Sequence, residues 1–102
     1  MTDELQARLQ SFGIAVVTES QTVSIFARDI FVAMAGRGAG GTLWLGSTGM
    51  LTENGLAYLV WREGRPLLAA KGSEVAALPE QVAAMRRFSE DLKMALEPAN
   101  PS

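Results

Sequence analysis

Residues 42–71 read Thr-Leu-Trp-Leu-Gly-Ser-Thr-Gly-Met-Leu-Thr-Glu-Asn-Gly-Leu-Ala-Tyr-Leu-Val-Trp-Arg-Glu-Gly-Arg-Pro-Leu-Leu-Ala-Ala-Lys, and this stretch decides the fold. Asn54-Gly55 is a strong short hairpin signal, because both central positions of a type I′ turn need positive φ. Leu43 onward therefore predicts one strand and Leu56 to Arg62 the returning one. Gly46 and Gly49 read as bulges or bends in the first. Glu63-Gly64 predicts a second tight turn into a third strand, Pro66 to Ala70, which Pro66 marks as an edge at that end because proline has no N–H for a ladder.

Two-residue loops at both turns set a register. Leu51 then faces Tyr58, Met50 faces Leu59, Val60 faces Leu67 and Leu59 faces Leu68. The middle strand shows Leu56, Tyr58 and Val60 on one side, and Ala57, Leu59 and Trp61 on the other. Antiparallel sheets commonly keep one face polar. This hairpin is apolar on both.

Outward from the hairpins, residues 2–12 read as a helix with Thr2 as cap, acids Asp3 and Glu4 in the first turn and Gly13 at the stop. Ile14 to Thr18 is short and β-branched, and predicts a strand. Residues 22–36 carry Val23, Phe26, Ala27, Ile30, Phe31 and Met34, which suit either a helical face or two strands broken at Arg28-Asp29. Strands are the favoured reading. A long helix closes the chain from about Pro79 to Glu97, with Val82, Met85, Phe88, Leu92 and Leu96 as its apolar stripe. Arg86 with Glu90, and Arg87 with Asp91, fall at i,i+4 on its solvated side. The expected fold is α+β, an antiparallel sheet of about four to six strands with the N- and C-terminal helices packed on one face. The domain is expected over residues 1–97, with 98–102 as a disordered tail.

The chain has 102 residues, 48% hydrophobic and 20% charged, with a formal net charge of −2. That balance suits a globular core and offers no excess positive charge for nucleic acid. No run approaches the ~18 apolar residues of a membrane span, and the acidic N-terminus does not resemble a signal peptide. A cytoplasmic protein without a membrane or nucleic-acid partner is expected. Arginine outnumbers lysine, the bias of a GC-rich bacterial genome.

Histidine and cysteine are both absent. The commonest general base, the thiolate nucleophile and the usual zinc ligands go with them. No catalytic, cofactor-binding or metal-binding residue is assigned. An enzyme would have to use carboxylates and arginine. Gly36, Gly38 and Gly41 match G-x-G-x-x-G, but a dinucleotide loop must open a helix and here a strand follows. The stretch 36–41 is expected to be an exposed connector.

Arg62 and Arg65 stand opposite one another across the second turn, where like charges cost stability. Glu63 could screen them, or an anion could sit between them, which makes this pair the candidate anion contact. The two-sided apolar hairpin points further, because two helices on one face leave the other open. Another subunit is expected to cover it, so a homodimer is predicted. Trp44, Leu51, Tyr58, Val60 and Leu67 are the candidate interface, with Trp61 in the core beneath the helices. The element order resembles small dimeric adaptor and secretion-chaperone domains, a likeness of architecture alone. The expected function is a non-catalytic, dimeric protein-interaction module, acting as adaptor, chaperone or regulator on another protein. The alternative is a small-ligand binder with a pocket between sheet and C-terminal helix, lined by Trp44, Tyr58 or Trp61.

The missing ligand types generate a direct expectation. Elemental analysis of the purified protein should find no stoichiometric zinc or iron, and one equivalent per chain surviving dialysis would contradict it.

Overall fold

The computed structural model describes residues 3–38, 43–53 and 55–97. Among the described residues, two helices bracket seven strands: α1 (Asp3–Ser11), β1 (Ala15–Glu19), β2 (Val23–Arg28), β3 (Phe31–Arg37), β4 (Leu43–Thr52), β5 (Gly55–Arg62), β6 (Arg65–Ala70), β7 (Ser73–Ala76) and α2 (Pro79–Leu96). The strands form one antiparallel meander in chain order. The α+β class and antiparallel sheet are as expected. The expected four to six strands is an undercount.

β7 is the strand that sequence reasoning missed. Ser73-Glu74-Val75-Ala76 is short, exposed throughout and holds one β-branched residue, so it has no apolar alternation to read. It pairs along β6 from Leu67↔Ala76 to Ala70↔Ser73, and Gly72 with φ +79° serves the turn. β6 is therefore not an edge. The Pro66 carbonyl accepts the Ala77 N–H at 3.0 Å, so the side of Pro66 that lacks a donor faces the end of β7, past its last paired residue.

Residues 22–36 are strands, as favoured. The turn between them holds Asp29 at φ +56°, a conformation that aspartate tolerates better than most residues. Alternation then sorts side chains to two faces. Ser24, Phe26, Ala33 and Ala35 are buried toward the helices, while Val23, Ile25, Val32 and Met34 take the other side. β4 has an extra residue opposite β3 between Leu45 and Thr48, a bulge that includes Gly46 as expected. Gly49 is no bulge and pairs regularly between Val32 and Tyr58. Gly36 and Arg37 belong to β3 rather than to a connector, and residues 39–42 lie outside the described residues.

α1 ends in a Schellman motif. Gly13 at φ +72° donates to the Gln10 carbonyl at 2.9 Å, and Ile14 donates to Leu9 at 2.9 Å. The accompanying Leu9 and Ile14 are both buried. The expected Thr2 cap and the expected tail 98–102 lie outside the described residues. At the start of α2, Pro79 occupies the first turn and the Gln81 side chain accepts the Leu78 N–H at 2.8 Å.

The core has two parts joined by α2. One gathers Leu5, Leu9, Ile14, Phe26, Ala33, Ala35 and Leu43 around Phe88, Leu92 and Leu96. The other gathers Met50, Ala57 and Leu68 around Val82 and Met85. Phe31 packs against both, its ring 6.2 Å from that of Phe88.

Arg28 fastens these layers. Its Nη1 donates to the Phe12 carbonyl at 2.9 Å and to Asp91 Oδ2 at 2.8 Å, and its guanidinium lies 5.4 Å from the Phe88 ring centroid. Asp91 thus serves the sheet, not an i,i+4 bond to Arg87 on a solvated side. Both partners are part-buried, so removing the cation strands a desolvated carboxylate and a free carbonyl. Arg28→Ala should lower stability by about 2–3 kcal/mol in urea unfolding, and Asp91→Asn by less, since an amide oxygen still accepts. A change below ~0.5 kcal/mol for Arg28→Ala, the scale of an ordinary surface substitution, would refute the role of Arg28 as a fastener.

Candidate functional site

Because both helices sit on one face, the other face of the sheet lies open among the described residues. Its strand positions carry Ile25, Val32, Met34, Trp44, Leu51, Leu56, Tyr58, Val60 and Leu67. Met34 is 41% exposed, Trp44 59%, Leu51 52% and Tyr58 38%, while Ile25, Val32, Leu56, Val60 and Leu67 are half-buried by their neighbours. All five expected interface residues lie on this face.

Leu51 and Tyr58 do not form the contact expected. The β4–β5 ladder pairs Leu51 with Leu56, Met50 with Ala57 and Thr52 with Gly55, so Gly55 belongs to the ladder rather than to the two-residue loop expected of it. Gly55 sits at the strand start with φ +98°, and Asn54 lies outside the described residues. Moving the turn by one residue moves each partner by two, which preserves every face. Tyr58 accordingly stands beside Gly49 and not Leu51. At the next hairpin, Val60↔Leu67 and Leu59↔Leu68 form as expected, with Glu63 at φ +54° and Gly64 at φ +77° in the turn.

Leu51, Tyr58, Val60 and Leu67 therefore gather over β4–β6, with Val32 continuing the patch into β3 through Gly49. Trp44 stands five positions before Gly49, beside Gly36 and near Met34. Two glycines shape the surface. A Cβ on Gly36 would come within 2.2 Å of the Trp44 ring, so the indole lies flat on the backbone there. A Cβ on Gly49 would come 2.6 Å from the Ala57 carbonyl oxygen and 3.3 Å from the Tyr58 ring.

Arg62 and Arg65 do face one another across the turn. Arg62 turns to Glu74 on β7. Arg62 Nε donates to Glu74 Oε1 at 2.7 Å and Nη2 to Oε2 at 2.7 Å, a bidentate pair. The hydrogen bonds from Arg62 hold the Glu74 carboxyl below its ordinary range and raise the guanidinium further. The anion that the sequence left room for is thus supplied by the unrecognised strand.

Trp61 lies on the helix-bearing face, as its parity requires, but it is not in the core. It is 51% exposed, with the Arg86 guanidinium 5.7 Å from its ring centroid. The space between sheet and α2 is a groove of about 290 Å³ lined by Thr48, Leu59, Met85, Arg86, Ser89 and Glu90, where the Thr48 and Ser89 hydroxyls meet at 2.7 Å. Trp44, Tyr58 and Trp61 do not line it, so the expected ligand pocket does not form from those residues. Among the described residues, no group of three acidic side chains is placed to hold a metal ion. No described helix is long and apolar enough to cross a membrane.

The two glycines respond differently to the same substitution. Gly36→Ala meets a half-exposed indole that can swing away, so it should cost little stability while increasing Trp44 solvent exposure, read as a red shift in fluorescence. Gly49→Ala meets a carbonyl that can move only with the ladder, so its unfolding midpoint should fall clearly further. Equal losses at both positions would contradict this account.

Comparisons with protein-family models, with curated proteins and with solved structures find no match to this chain, so the reading of its function rests on the geometry of this open face.

Proposed function

We propose that this protein is a non-catalytic interaction module, an adaptor, chaperone or regulator, that associates with a protein partner through the open face of its sheet. One observation carries the reading. Large apolar side chains, two of them aromatic with polar tips, continue across β2 to β6 on the face opposite the helices. An uninterrupted apolar patch that spans several strands is costly to expose, and such patches mark sites of protein association. Tyrosine and tryptophan suit the task because they bury much area while freezing few rotors.

The chemistry of the sequence supports the same direction. Histidine, the commonest general base, and cysteine, the most reactive side-chain nucleophile, are both absent. The Glu74 carboxyl, held below its ordinary range, is engaged with Arg62 at the surface. That engagement pairs charge along the β5–β7 side of the apolar face.

The test is a direct binding comparison. A partner recovered with the tagged chain from its own cells, then purified, should bind the unchanged protein. Tyr58→Asp should weaken that binding by ~30-fold or more, the effect of a central interface residue, with its unfolding midpoint within a few degrees of the parent. Unchanged binding by a well-folded Tyr58→Asp protein would rule the face out. A small molecule that raised the melting temperature equally in both proteins would favour the ligand-binding alternative.

A further inference from the structure

We infer that the occupant of the open face is a second copy of this chain, packed face to face about a two-fold axis. This rests on reading the face as an interaction surface and names its partner.

Charge is the first argument. Among the described residues, the charged side chains at strand positions of this face are Arg62, Arg65 and Glu74. Arg62 and Glu74, which stands on β7 in the row of Ala69 and Tyr58, bind one another across β6, so these charges are paired along the β5–β7 side of the face. The centre, from Ile25 through Val32 and Tyr58 to Leu67, holds none. Interfaces between different proteins draw much of their specificity from complementary charge. A face without charge at its centre gives a foreign partner little to select by, yet it is complementary to itself. Homodimer interfaces are the more apolar class.

Symmetry is the second argument. A two-fold axis through the centre of the face carries the basic corner of each copy to the end opposite its partner's corner. Arg65 then avoids its own image, and apolar surface meets apolar surface across the middle. Two sheets brought together this way pack about 10 Å apart with interdigitating side chains, a sandwich completed between chains.

Area is the third. From β2 to β6 the face measures roughly 20 Å in each direction, using ~4.8 Å between strands and ~3.3 Å per residue. Side chains standing off the sheet expose more than that flat outline, which brings the patch toward the roughly 800 Å² that a standard interface takes from each partner.

Sedimentation equilibrium at micromolar concentration decides the matter. The unchanged protein should give twice the 10.9 kDa chain mass. Leu51→Glu and Met34→Glu lie toward opposite sides of the face, and each should raise the dimer dissociation constant at least ~30-fold, as loss of a central contact does. Met94→Glu changes an equally exposed apolar residue on α2 and should remain dimeric. If one face variant does not fold, the other and a dilution series of the unchanged protein still decide. A single-chain mass for the unchanged protein at high micromolar concentration would overturn the inference. So would a dimer that survives Leu51→Glu and Met34→Glu in folded form. A monomer whose Tyr58 still binds a purified partner would overturn the second copy alone and leave the interaction module standing. A dimer broken by both variants, for which no other protein binds at Tyr58, would uphold the second copy and restrict the module to self-association.

Discussion

One helix holds the sheet together. α2 has 18 residues, about 27 Å at the usual rise, and its stripe from Val82 to Leu96 contributes to both parts of the core. Phe88 and Leu92 are fully buried against the β2–β3 half, and Met85 against the β5–β6 half. β4 and β5 pair only from Gly49–Thr52 to Gly55–Tyr58, so their remaining lengths are tied mainly to other neighbours. Apolar burial along a single helix therefore bridges what the hydrogen-bond ladder leaves weakly joined. A helix has one such stripe, and it can cover one face.

The open face follows from that limit. A meander of seven strands places half of its side chains on each side, and the two helices pack on the same side. The far side keeps its apolar residues, and glycines at 36 and 49 let Trp44 and Tyr58 settle against the backbone. Both rings remain substantially exposed. The surface is ordered by local packing and still short of cover.

The two ion pairs do different work. Arg28–Asp91 is part-buried, reinforced by the Phe12 carbonyl and the Phe88 ring, and it fixes α1's exit and α2's face against β2. Arg62–Glu74 is exposed and lies on the far face. Its depressed Glu74 titration contributes stability that is present above the ordinary carboxylate range and lost as pH falls through the folded-state value. Solvent screening keeps that contribution small. Its larger consequence is local, because it gives an acidic partner to one of two arginines set side by side by the hairpin.

The sequence by itself determined what depends on near neighbours. Gly13 at a helix stop, Glu63-Gly64 between apolar runs, and the α2 stripe each express a backbone or periodicity preference that acts over a few residues. The sorting of Trp44, Leu51, Tyr58, Val60 and Leu67 to one face was equally legible, because strand parity survives a shift of two in register. What only the tertiary structure decided involves groups far apart in the chain. Arg28 looked like a strand breaker until Asp91, 63 residues away, gave it a partner. Trp61 had the parity of a core residue, yet it lies where Arg86 is its cover. β7 had no pattern of its own, since its place comes from pairing with β6 and from Glu74 reaching Arg62. Local preference acts through the backbone's own geometry and is written in adjacent residues. Burial and charge pairing depend on which surfaces meet, and that is fixed only when the whole chain has closed around α2.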